Sequence, residues 1–144
     1  MPFNQLQSAQ QLEVVVAGPA DANRLYICAG LANGNYQMTV PANTGDSSDD
    51  TWQFEVGPKL AVNQFRGSVA TASLAGIVEQ GQLQWISWSV QGVTADFDGQ
   101  TGMVRMSATN ALNATNSAAS SFAFAGIAVI SYHVSILAAM PAGA

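Results

Sequence analysis

The stretch Leu83–Thr94, LQWISWSVQGVT, carries the clearest structural signal in the sequence. Ile86, Trp88 and Val90 alternate with serine and glutamine, and this is the period of an extended strand with one apolar face. We predict a strand that buries Trp88 and places Trp85 on the opposite, polar side, because residues three apart on a strand point to opposite faces.

Seven further segments around this stretch show the same alternation, or a short apolar run between turn residues. They are residues 12–16, 25–29, 36–40, 52–56, 68–79, 103–109 and 122–140. The segment 68–79 also fits a short helix, but its threonine and valine content and its glycines favour a strand. We therefore expect an all-β fold of about eight strands, an antiparallel β-sandwich of jelly-roll-like type.

Glycine, proline and asparagine separate these segments. Turns or breaks are predicted at Asn33-Gly34-Asn35, Gly57-Pro58 and Asp98–Gly102. Residues 42–50 and 110–121 are small and polar and predict loops, and Gly126 predicts a bulge in the last strand.

The chain has 144 residues, the size of one domain. We expect an N-terminal arm at 1–11, a single β-sandwich domain at 12–138 and a C-terminal tail at 139–144. The arm is polar and rich in glutamine, and the tail reads Pro-Ala-Gly-Ala after Met140. An arm and a tail of this kind suit contacts with neighbouring subunits.

The segment Phe122–Met140 is long enough for a transmembrane helix and contains no acid, lysine or arginine. Polar side chains such as Ser131 and His133 interrupt its middle, and no basic residues flank it. Its apolar residues also alternate, from Ile130 to Ile136. We therefore predict a long buried strand and no membrane span.

Charged residues make up 9% of the chain, against about 25% in an average domain. The net charge is −5, and the basic side chains are Arg24, Lys59, Arg66 and Arg105. Four scattered cations do not neutralise a run of phosphates, so nucleic acids and anionic membranes are excluded as partners. A surface with few charges offers little repulsion between copies.

This surface favours a non-enzymatic structural subunit that assembles with copies of itself or joins a larger protein assembly. A virion, decoration, fibre or shell component would fit. The residues Met1–Gln5 begin no conventional signal peptide, so the compartment stays open, with a virion or an extracellular assembly among the alternatives.

No catalytic constellation is predicted. The single histidine, His133, lies opposite the apolar row of its strand and has no Gly-x-Ser-x-Gly motif to accompany it, so we interpret it as a surface or interface residue. Cys28 lies in the apolar run Leu25–Ala29 and is expected to be a small buried residue.

Two acidic groups fit a Ca²⁺ site in part. Asp96 and Asp98 are two apart before a glycine, and Asp46, Asp49 and Asp50 fall within five positions. A β-turn at the first group and a solvated acidic loop at the second explain the same residues without a metal. Apart from Ca²⁺ at these groups, no cofactor is expected.

The aromatic residues suggest an alternative function, a lectin-like carbohydrate-binding module. An outward Trp85, with Trp52 or Tyr36 exposed beside amide and carboxylate side chains, could stack on a sugar ring. Trp85 also fits an interface anchor or a second buried face of the sheet.

Overall fold

Seven β-strands form the framework of the protein in the computed structural model, which describes residues 4–16, 23–80 and 85–139. For residues 4–16, 23, 77–80 and 85 the description covers the backbone alone. The strands are β1 (Asn4–Val16), β2 (Asn23–Val40), β3 (Thr44–Val56), β4 (Phe65–Gln80), β5 (Trp85–Asp98), β6 (Met103–Asn116) and β7 (Phe122–Ala139).

The strands form two antiparallel sheets. A four-stranded sheet has the order β1-β2-β7-β4, and a three-stranded sheet has the order β3-β6-β5. The all-β, antiparallel prediction is confirmed, although the described residues hold seven strands where we expected about eight. They contain no helix long and apolar enough to cross a membrane, and the segment weighed as a membrane span is β7.

One hydrophobic core joins the inner faces of the two sheets. Aromatic rings pack across the interface, with centroids 5.7 Å apart for Tyr36 and Trp88 and 4.8 Å apart for Phe54 and Tyr132. This packing confirms a sandwich-like arrangement. The alternation predicted for the last strand is also confirmed, because its inner row is almost completely buried: Ile130, Tyr132, Val134 and Ile136.

The predicted turn at Asn33-Gly34-Asn35 is wrong, and this merges two expected strands into β2. The three residues pair with Ile127–Val129 of β7 on one side and with β1 on the other. A turn here would leave backbone groups unpaired on both flanks of a strand that has two neighbours. This long-range pairing outweighs the local turn preference of asparagine and glycine.

The two predicted loops, 42–50 and 110–121, are also largely wrong. Most of each pairs with the other, from Thr44 opposite Asn116 to Asp50 opposite Asn110. Each segment supplies the hydrogen-bond partners that the other needs, although neither has strong strand preference. At this end of the strand pair, the side-chain amide of Asn116 donates to the carbonyls of Val40, Pro41 and Ser120.

The predicted breaks at Gly57-Pro58 and Asp98–Gly102 are confirmed. Gly57 has a φ of 83°, and a Cβ placed there would lie 2.5 Å from Cδ1 of Ile136. Gly102 has a φ of 75°, and its backbone N–H donates to the carbonyl of Asp98 at 2.8 Å. Both positions need glycine, because the left-handed region disfavours residues with a side chain.

Segment 68–79 lies in β4, which confirms a strand rather than a helix. The predicted bulge at Gly126 is wrong, since β7 pairs without interruption there. Irregularities in register lie instead at Leu6/Ser8, Phe65/Gly67, Leu74/Gly76 and Val90/Gly92.

The expected N-terminal arm is wrong for residues 4–11. They belong to β1 and pair with β2 of the same chain, starting with Asn4 opposite Tyr36. At the other end β7 reaches Ala139, and the rest of the predicted tail lies outside the described residues.

The edge strands β4 and β5 run beside each other where the two sheets meet. The Ser68 hydroxyl donates to the carbonyl of Ala95 at 2.7 Å, and the rings of Phe65 and Phe97 stack with centroids 5.0 Å apart. These contacts fix the position of one sheet on the other and leave two outer faces that point away from the core.

Candidate functional site

The outer face of the four-stranded sheet, called the apolar face below, carries four exposed aliphatic side chains. They are Leu31 (46% exposed), Val69 (69%), Ile127 (45%) and Leu137 (39%). Strand alternation places them here, because their neighbours in sequence point into the core. These four side chains make this the more apolar of the two outer faces.

His133 lies near the middle of the apolar face. It is exposed, and its partners across the backbone ladder are Ala29 of β2 and Thr71 of β4. The hydroxyls of Ser73 and Ser131 lie 3.1 Å apart beside it. The structure thus confirms that His133 lies opposite the apolar row of β7, and its ladder partners carry no acid or second imidazole.

Charged residues are few on the strands behind this face. The sequences of β2, β4 and β7 contain three of them, each one position from a strand end: Arg24, Arg66 and Glu79. The edge strand β1 adds Glu13, whose backbone pairs with Cys28. The middle of the sheet therefore presents no charged side chain from its three other strands.

The outer face of the three-stranded sheet, called the polar face below, has the opposite character. Side chains of neighbouring strands hydrogen-bond across it. The Thr51 and Thr109 hydroxyls lie 3.0 Å apart, and the Gln53 amide donates to the Ser107 hydroxyl at 3.2 Å. Polar side chains of this face therefore supply hydrogen-bond partners to one another.

An ion cluster lies at one end of the polar face around Arg105. Its guanidinium pairs with Glu55 at 3.1 Å and also with Asp98. The backbone N–H of Gln100 and the nearby Arg105 guanidinium lower the pKa of the Asp98 carboxyl below its ordinary value of 3.8, outweighing its partial burial. Asp96 is exposed and pairs with Arg105 across the ladder.

These contacts bear on the Ca²⁺ interpretation of Asp96 and Asp98. A cation of the chain, Arg105, already neutralises Asp98, and the Asp98 carboxylate also accepts the backbone N–H of Gln100 at 2.9 Å. Among the described residues no three histidine, cysteine or acidic side chains are grouped so that they could hold a metal ion.

The second acidic group lies on β3 and not in a solvated loop, which corrects our prediction. Strand alternation separates Asp49 from Asp46 and Asp50. The carboxylates of Asp46 and Asp50 each accept the backbone N–H of the following residue, at 2.8 and 2.9 Å. The three carboxylates do not converge, because an extended chain spreads them along and across the strand.

The aromatic residues proposed for sugar stacking lie mostly in the core. Trp52 and Tyr36 are each 1% exposed, which corrects the expectation that either presents its ring at the surface. Both fall on the inward row of their strands. Trp88 is buried as predicted, and Cys28 is fully buried. The side chain of Trp85 lies outside the description, and its backbone pairs with Thr115.

A shallow groove of about 350 Å³ crosses the polar face at the opposite end from Arg105. Its lining is Ser47, Ser48, Asp49, Gln91, Ala111 and Asn113. Asn113 pairs with Ser47 on one flank and Ser87 on the other, and Trp85 begins β5 two residues before Ser87. Amide, hydroxyl and carboxylate groups thus meet close to the start of β5.

The apolar face was not predicted from the sequence. One signal for it was available: β7 reads FAFAGIAVISYHVSILAA, with apolar residues on both rows. A strand of this kind is typical of a sheet that is covered on both sides. Leu31 and Val69 gave no such signal, since their exposure depends on which strands become neighbours.

Comparison of the chain with known proteins finds no matching family model, curated protein sequence or solved structure.

Proposed function

We propose that this protein is a non-enzymatic structural subunit that assembles with copies of itself through the apolar face. The observation that carries this proposal is the difference between the two outer faces. The apolar face carries the exposed side chains of Leu31, Val69, Ile127 and Leu137, on strands without central charges. The polar face carries hydrogen-bonded polar side chains and an ion cluster.

The size of the apolar face supports a second copy as its partner. Strands of 13 to 18 residues lie four abreast, and with about 3.3 Å per residue and 4.8 Å per strand the face covers roughly 1,000 Å². A stable interface takes roughly 800 Å² from each partner. The face is thus large enough for one sheet-on-sheet contact.

The chemistry of the face supports contact with an identical face. A two-fold interface brings each patch against its own copy, so like charges would meet and repel. The strands β2, β7 and β4 carry no central charge and so avoid this penalty. Its serine, threonine and alanine side chains lose little conformational entropy on contact, and burial of apolar surface contributes about 25 cal/mol per Å².

The strand pairing supports a jelly-roll assignment, which we propose for the fold. β2 pairs with β7 and β3 with β6, while β4 lies beside β5, so the pairs are nested as in a long hairpin rolled across two sheets. Jelly rolls occur in viral capsid and lectin domains. Membership in a virion, decoration, fibre or shell assembly is the proposed role.

Sedimentation velocity of wild type and two variants tests the proposal. Val69→Lys places a charge on the apolar face, and Thr94→Lys places one at an exposed strand position on the polar face as a matched control. We expect oligomers for wild type and the control, and association at least about tenfold weaker for Val69→Lys, equivalent to 1.4 kcal/mol.

A monomer for the wild type contradicts the proposal. The measurement should reach about 100 µM, where an interface with a Kd of about 1 µM is nearly saturated. Equal weakening by the two lysines would also contradict the assignment of the apolar face.

The groove near Asn113 supports a second candidate function, carbohydrate binding, for which the sequence predicts a contact from Trp85. Its volume lies in the range of small-molecule sites, and amide and carboxylate groups are suited to sugar hydroxyls. A glycan array with wild type and Asn113→Ala tests it. We expect specific signals that the variant loses, and a blank array with folded protein contradicts this function.

A further inference from the structure

Three polar atoms in the hydrophobic core have no hydrogen-bond partner among the described residues. They are Nε1 of Trp52, Nε1 of Trp88 and Oδ1 of Asn110. All three side chains are more than nine-tenths buried, and Asn110 is fully so. Buried indole N–H and amide groups normally find a partner, since an unsatisfied one costs about 1–3 kcal/mol.

The sheet register brings the three side chains together. Asn110 lies on the central strand β6, between Asp50 of β3 and Val90 of β5. Trp52 is two residues beyond Asp50, and Trp88 is two residues before Val90. Each tryptophan is thus a diagonal neighbour of Asn110, within the reach of a large aromatic side chain. The two indole centroids lie 5.9 Å apart.

The three orphan atoms are two donors and one acceptor. An indole N–H only donates, and Asn110 Oδ1 only accepts. The Asn110 amide nitrogen is already directed to the carbonyl of Ala108, at 3.4 Å. The two indoles therefore cannot satisfy each other.

We propose that Trp52, Trp88 and Asn110 form an internal binding site for one water molecule. The water oxygen accepts both indole N–H groups, and one water hydrogen is donated to Asn110 Oδ1. Three bonds are the usual number for a buried water. The site joins all three strands of the three-stranded sheet through one molecule, and it is independent of the proposed assembly.

The surroundings give this water a route of exchange. Asp50, the direct ladder partner of Asn110, is partly exposed, so the site lies one residue from solvent. We therefore expect the residence time of the water to exceed the tumbling time of the protein, while the water still exchanges with bulk solvent.

Nuclear magnetic resonance of ¹⁵N-labelled protein tests the site. Trp52→Phe and Trp88→Phe assign the two indole N–H signals. In wild type we expect both signals to show a nuclear Overhauser effect to water with the sign of a long-lived, bound molecule. A water contact at one indole alone, or at neither, overturns the shared site.

A variant pair tests the role of the amide. Asn110→Leu removes the acceptor, and we expect both indole protons to shift upfield and both water contacts to be lost. Asn113→Leu, on the polar face of the same strand, is the matched control and should leave both signals in place. Unchanged indole signals in folded Asn110→Leu would overturn the proposal. If Asn110→Leu does not fold, the wild-type measurement decides.

Discussion

Both outer faces are built from antiparallel strands, but their side chains differ in the hydrogen-bond partners that they require. On the polar face, Thr51, Gln53 and Arg105 find partners on neighbouring strands. On the apolar face, Leu31 and Ile127 remain exposed and have no polar group to satisfy. This difference is the basis of the proposal that a second copy covers the apolar face.

The largest effect on stability is expected from substitutions at two neighbouring residues of β7 whose side chains point to opposite sides of the sheet. Ile136 is fully buried and Leu137 is 39% exposed. We expect Ile136→Ala to lower the free energy of unfolding by about 2–5 kcal/mol, because it leaves a cavity. Leu137→Ala should cost under about 1 kcal/mol in the monomer and weaken association.

Urea denaturation at low protein concentration measures the first effect, and sedimentation velocity measures the second. A Leu137→Ala variant that loses as much monomer stability as Ile136→Ala would contradict the assignment of Leu137 to an outer surface.

A smaller effect is expected from the ion cluster of the polar face. Arg105→Met removes the partner of Glu55 and Asp98, and the arginine side chain is 45% exposed. Solvent screens such pairs, so we expect a loss of about 0.5–1 kcal/mol and no change in association. Thermal unfolding and sedimentation velocity check the two parts, and a change in oligomer size would place the polar face in the contact.

Acid should weaken the same cluster through Asp98. Its pKa is lower in the folded protein than the ordinary 3.8, so its contribution to stability is present above pH 3.8 and is lost as pH falls through the lower, folded value. Asp98→Asn removes this dependence. Urea midpoints of wild type and variant should differ at neutral pH and converge in acid, and a constant difference would exclude Asp98 as the cause.

The smallest effect should be that of salt on association. Contacts through an uncharged face are not screened, so raising NaCl from about 0.05 to 0.5 M should change the association constant by less than about twofold. Weakening of tenfold or more, measured by sedimentation, would indicate a contact made by the charged residues of the polar face instead.

Local patterns in the sequence were sufficient to predict much of the fold. Alternation placed Trp88 and Val134 in the core, and glycine marked the breaks at Gly57 and Gly102. Local patterns failed where two segments without strand preference pair with each other, as Asp46 does with Ala114. Neither sequence segment carries the signal alone, because the stabilising hydrogen bonds join residues far apart in the chain.

The candidate site was less predictable for the same reason. From the sequence of a single strand, an aliphatic residue such as Leu31 is predicted to lie in the core. Its exposure follows from the order of strands in the sheet, which residue spacing does not encode. The sparse charge of the chain favoured a surface suited to contact, but it did not locate that surface on one sheet.

The most direct test of the account is which face becomes protected when the protein is concentrated. Methyl-labelled protein with a soluble gadolinium chelate reports the exposure of individual methyl groups at low and high concentration. We predict that the methyls of Leu31, Val69, Ile127 and Leu137 become protected, while those of Thr51 and Thr94 stay exposed. Equal exposure of the apolar-face methyls at both concentrations would contradict it.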